Sequence, residues 1–110
     1  MIRRVLCISW DGKLAREREQ LFEDAGCLVR SAVGPQAEEL VENEDGDLLV
    51  LGHSVPREEK RRFIRIFRRH SSAPVLSLLV PGQERLPEAT LGFPGDDYRN
   101  LATIVRHIVQ

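Results

Sequence analysis

An α/β domain, with a parallel sheet held between helices in a three-layer sandwich, is the fold class this sequence predicts, on three observations. Short apolar runs alternate with helical patterns along all 110 residues. Three of the runs, Val5 to Ile8, Leu48 to Leu51 and Val75 to Leu78, are nearly continuous, as strands buried on both faces should be. Each is followed by a turn signal, and strand–helix alternation implies crossovers that make the strands parallel.

Val5-Leu6-Cys7-Ile8 is the first strand. Asp11 and Gly12 then turn the chain, with Asp11 the expected N-cap of a helix from Lys13 to about Ala25. Leu14, Leu21, Phe22 and Ala25 share its apolar face. Gly26 stops that helix, and Cys27 to Ala32 is a second strand. Gly34-Pro35 opens a short acidic helix to about Asn43, and Glu44-Asp45-Gly46-Asp47 turns into the third strand, Leu48 to Leu51. Pro56 suits the first turn of the next helix, which runs to about His70. Ser71-Ser72-Ala73 leads to a fourth strand, Val75 to Val80, which Pro81-Gly82 breaks. A fifth strand is placed at Ala89 to Phe93, and Asp96 or Asp97 caps a last helix. Leu101, Ile104, Val105 and Ile108 of that helix follow the i, i+3, i+4, i+7 spacing.

Only about eight residues lie between the fourth and fifth strands, where a parallel crossover normally takes a dozen or more. Pro81, Gly82 and Pro87 fall among them. The fourth helix is therefore expected to be short or missing. That would leave apolar side chains over these strands uncovered, with Leu86 and Leu91 as a possible partner surface.

One domain is the natural reading of this length, and 42% hydrophobic content is enough for its core. A formal net charge of -1 gives no reason for strong non-specific attraction to nucleic acid or membrane. No apolar run approaches the roughly 20 residues of a membrane span, so no membrane association is expected. The opening Met1-Ile2-Arg3-Arg4-Val5 lacks the apolar length and cleavage site of a secretory leader. Cys7 and Cys27 lie too far apart for a metal-binding pair and read as buried free thiols in a reducing cytoplasm.

The flavodoxin-like strand order 2-1-3-4-5 fits this element order; a dinucleotide-binding half does not, because no G-x-G-x-x-G follows the first strand. The most informative stretch is Asp47-Leu48-Leu49-Val50-Leu51-Gly52-His53-Ser54-Val55-Pro56, an apolar strand ending in glycine before a proline-led basic helix. It resembles the third strand and following loop of the receiver domains of bacterial response regulators, and the resemblance extends over nearly the whole chain. Receivers carry a phosphoacceptor aspartate where this chain has Gly52. Two acidic residues after their first strand hold a divalent cation. A hydroxyl after the fourth strand and a lysine after the fifth contact the phosphoryl group. Here the acidic pair falls on Ser9 and Trp10, the hydroxyl on Leu79 with Ser77 two places too early, and the lysine on Phe93 followed by Pro94.

The resemblance thus implies a degenerate, aspartate-less receiver with no catalytic residue, metal site or cofactor. Asp11 alone is too little for a hard divalent cation. His53, Ser54 and Asp11 could be drawn as a nucleophile–base–orienter set, but they read as loop polar residues. His70 in the last turn of its helix and His107 have no partner cluster suggesting a metal. The segment Arg57 to Arg69 is basic, yet Phe63, Ile64, Ile66 and Phe67 form its stripe and most arginines face away. Acidic Glu38, Glu39 and Glu42 lie on the neighbouring helix, and one tyrosine and one tryptophan are a poor supply of stacking platforms. Nucleic acid is not the expected partner. The chain ends with its last helix, so no output domain is expected to follow. The expected role is a noncatalytic module of bacterial, two-component-type signal transduction that docks another protein or itself. The alternative is an unrelated flavodoxin-like domain binding a small ligand or nucleic acid, with a small enzyme third.

Overall fold

The elements fall where the apolar runs and turn signals put them, with boundaries moved by a residue or two. The structure, a computed structural model, describes residues 3–109. In order they form β1 (Arg4–Ser9), α1 (Gly12–Asp24), β2 (Leu28–Val33), α2 (Ala37–Asn43) and β3 (Leu48–Leu51), then α3 (Arg57–Arg68), β4 (Val75–Leu79), β5 (Leu91–Pro94) and α4 (Tyr98–Val109). All strand pairs are parallel and the order is β2-β1-β3-β4-β5, the flavodoxin-like arrangement.

Side chains of a strand alternate between its two faces, so each central strand feeds two cores. Leu6, Ile8, Leu49, Leu51 and Val75 face α2 and α3, meeting Val41, Phe63 and Phe67. Val5, Cys7, Leu48, Val50, Leu76 and Leu78 face the other way, toward Phe22 of α1 and Leu101 and Val105 of α4. Cys7 and Cys27 are buried free thiols, and burial pushes the Cys7 thiol up to about 12, where it is chemically inert.

The caps set how the helices leave the sheet. Asp11 accepts from Lys13 N at 2.9 Å and Leu14 N at 3.2 Å. Pro56 stands one residue before α3 rather than inside its first turn, and Glu58 and Glu59 place negative charge at that helix start. Asp97, not Asp96, caps α4: its carbonyl accepts from Leu101 N at 2.9 Å and its Oδ1 from Asn100 N at 3.3 Å.

No helix joins β4 to β5. Residues 80–90 cross in turns and extended chain, as the short connection requires. The apolar patch expected there is absent. Leu86 is 1% exposed and enters the core on the α3 face together with Ala89. Leu91 is half-buried and packs into the core of the opposite face. The two therefore cannot form one docking patch, and Leu86 offers no partner surface. Gly92 explains how the segment lies so close: a Cβ there would stand 3.1 Å from Leu79 Cδ1 and 3.5 Å from Arg85 Cγ.

Candidate functional site

The loops after β1, β3, β4 and β5 meet beyond the carboxyl edge of the sheet, where open α/β folds build their sites. Backbone bonds hold them in register, with Gly52 N donating to Ile8 O at 2.8 Å and Gly95 N to Leu79 O at 2.8 Å. Ser9, fully buried, closes the loop after β1. Its Oγ accepts from Asp11 N at 3.0 Å and lies 3.0 Å from Ser54 Oγ. Ser54 Oγ also accepts from Trp10 N at 2.9 Å. Trp10 is half-buried, its ring edge-on to Phe63 with centroids 5.9 Å apart.

The centre of the site holds a residue that sequence reasoning did not single out. Arg18 of α1 is 0% exposed, and its guanidinium takes the space left by the missing side chain at position 52. A Cβ on Gly52 would stand 2.7 Å from Arg18 Nη1, closer than real Cβ atoms come, and a tight 3.1 Å from Ile8 O. Arg18 Nη2 donates to His53 Nδ1 at 2.9 Å and reaches Gly95 O at 3.5 Å. Because a guanidinium only donates, His53 Nδ1 must accept, which leaves the ring neutral with its proton on Nε2. Burial, then the positive charges of Arg18 and Lys60, hold the His53 imidazole below its ordinary range. Arg18 Nε and Nη1 are buried with no hydrogen-bond partner among the described residues.

A second buried cation comes from α3. Lys60 is 4% exposed, and its ammonium donates to Ser77 Oγ at 2.9 Å and Leu78 O at 2.8 Å at the end of β4. Burial, then Arg57 and Arg18, push it down to about 8. Among the described residues, no aspartate or glutamate is buried. The site thus holds two buried cations and no buried carboxylate among the described residues. The residues present do not fit a divalent metal: Ser9 and Trp10 supply no carboxylate, Asp11 is spent on its helix cap, and Arg18 repels the ion. No group of three or more metal-ligating side chains exists among the described residues.

Of the five positions matched to receiver chemistry in the sequence, Ser9, Trp10 and Gly52 meet at this site. Leu79 is half-buried at the end of β4, and the ring of Phe93 is buried in the core against α4 rather than in the crevice. The structure does not assemble Asp11, His53 and Ser54 into a catalytic set, because Ser54 pairs with Ser9 and His53 with Arg18. His70 lies just past α3, and its Nε2–H donates to Val41 O at 2.8 Å, tying α3 to α2. Sequence reasoning did not single out Arg18, and it took Lys60 as one cation of a solvated basic face on its helix. The signal was in the spacing: Arg18 lies three residues after buried Ala15 and four before Phe22, and Lys60 three before Phe63.

Comparison with solved structures places this geometry. The fold superposes on a CheY-like response regulator receiver domain from Methylobacillus flagellatus with a TM-score of 0.82, 12% identity, and 98% of this chain and 99% of that one covered. The receiver domain of a sensor histidine kinase from Pseudomonas aeruginosa, described with a magnesium ion coordinated in its active-site cleft, gives a TM-score of 0.77 at 15% identity, covering 99% and 98%. A response regulator protein from Burkholderia multivorans gives 0.74 at 23%, covering 100% and 97%. At these identities the likeness is one of fold: this is a receiver-type α/β domain. No protein-family model matches the sequence, and no curated protein is significantly similar to it.

Proposed function

We propose that this chain is a receiver-like domain that has lost phosphoryl chemistry and serves as a noncatalytic, protein-binding module of bacterial two-component-type signalling in the cytoplasm. The observation that carries the reading is Arg18: its guanidinium fills the space beside Gly52 where a phosphoacceptor side chain would stand. The residues at the other chemical positions support it, since Ser9, Trp10, Leu79 and Phe93 provide neither carboxylate, hydroxyl in place, nor lysine. A domain without an acyl phosphate to form or lose acts by docking, to a protein partner or to a second copy of itself. Incubation with acetyl phosphate or phosphoramidate and Mg²⁺, followed by intact-mass measurement, tests the loss. The expected mass is unchanged, and stoichiometric phosphorylation would overturn the proposal. Gly52→Asp alone should also stay unmodified, because the acidic pair and lysine are still missing. Light scattering over a concentration series then separates self-association from docking to another protein.

A further inference from the structure

The buried charges of this domain do not balance. Arg18 and Lys60 are both buried, and neither comes within ion-pair distance of a carboxylate among the described residues. Buried cations in folded proteins are ordinarily paired. Arg18 is sealed in, but Lys60 is not. Its side chain forms part of the wall of a cavity of about 230 Å³ between the start of α3 and the chain leaving β4. The ammonium has three N–H groups, and two are used by Ser77 and Leu78. The third has no acceptor among the described residues.

The rest of the cavity is asymmetric. Arg57 lines it, with Nη1 fixed on Glu84 O at 3.2 Å and the remaining donors without a side-chain partner among the described residues. Val55, Leu79 and Leu86 give it an apolar wall. Gln83 bridges its floor to the β3–α3 loop by donating to His53 O at 3.4 Å, so the walls are held on both sides.

We propose that this cavity binds a small organic monoanion, with its carboxylate on Lys60 and Arg57 and its apolar body against Val55, Leu79 and Leu86. Glu84 on the same rim is exposed and disfavours a second negative charge. Size agrees: a ring the size of benzene fits a cavity of roughly 150 Å³, leaving room here for the carboxylate. The bound anion supplies the opposite charge that the buried ammonium lacks. It therefore raises Lys60 from its depressed value near 8, and by linkage its own affinity falls as the pH climbs through that value. This binding is separate from the docking role and does not depend on it.

Benzoate is the probe, titrated into the full chain near neutral pH and followed by amide NMR shifts. Saturable shifts centred on Lys60, Ser77, Leu78 and Gln83 are expected, with neutral benzamide giving none. Lys60→Met should weaken binding by about tenfold or more and Arg57→Gln by severalfold. Affinity should also fall between about pH 7 and pH 10. Non-saturating shifts, shifts centred on Arg65 or Arg69, equal binding of benzamide, or an unchanged affinity in Lys60→Met would each overturn the proposal. Should Lys60→Met fail to fold, exposed Arg57→Gln and the benzoate–benzamide comparison decide the matter by themselves.

Discussion

At the scale of single residues, the domain turns on a glycine that admits a guanidinium. Asparagine and aspartate at position 52 would crowd Arg18 and Ile8 O equally, but aspartate offers the unsatisfied Arg18 N–H groups an ion pair and asparagine only a neutral acceptor. Both variants should be less stable than the parent. Urea unfolding should find Gly52→Asp more stable than Gly52→Asn by about 1–3 kcal/mol. The difference should vanish in an Arg18→Met background, and an equal loss in both single variants would show that Arg18 is not the neighbour. His53 gives a pH test. Its folded value is depressed, so its contribution is fully present above the unfolded value of about 6.5 and is lost as the pH falls through the lower folded value. Stability should decline with acid over that window, and His53→Gln should remove that part of the slope. Glycine at position 52 was legible in the sequence, because an absence is visible there. The cations were not, because a charged residue on an apolar stripe is indistinguishable by type from one beside it. Only the three- and four-residue spacing to Ala15, Phe22 and Phe63 distinguishes them.

At the scale of elements, the chain between β4 and β5 replaces a helix with a strap. Its lack of a helix was legible, since too few residues and two prolines stand between the apolar runs. The burial of Leu86 was not, because one leucine in a proline- and glycine-rich stretch has no period to say which way it points. Its position under α3 makes Leu86→Ala a core deletion, expected to cost about 2–5 kcal/mol in denaturant unfolding. No change in light scattering should accompany it. A variant as stable as the parent but altered in self-association would return Leu86 to the surface. The strands were easier to read because continuous apolar runs admit few alternatives at a sheet centre. Their order followed from the flavodoxin-like arrangement that this strand–helix alternation fits.

Over the whole molecule, opposite charges are laid side by side. Arg62 of α3 meets Glu38 of α2 at 3.0 Å and Glu59 at 2.6 Å, while Arg61 holds Glu58 at 2.8 Å and Glu88 at 2.6 Å. Such exposed pairs contribute little to stability. Their effect is on the field: the basic face of α3 is partly neutralised within a Debye length. Binding to random duplex at physiological salt should therefore be no tighter than the micromolar range that non-specific contacts give. Replacing Arg61, Arg65 and Arg68 together should leave it nearly unchanged. Salt-sensitive, sub-micromolar anisotropy titrations that collapse in the triple variant would make this face functional.

The fit of Arg18 against Gly52 also constrains the mutational paths open to this chain. A single change that places aspartate at position 52 sets its carboxylate against a guanidinium already in place, and the two pair. Replacing Arg18 first leaves a hole beside a glycine and gains nothing. Each change is unfavourable alone, so the two residues act as a lock: the absence of one side chain is matched by the reach of another.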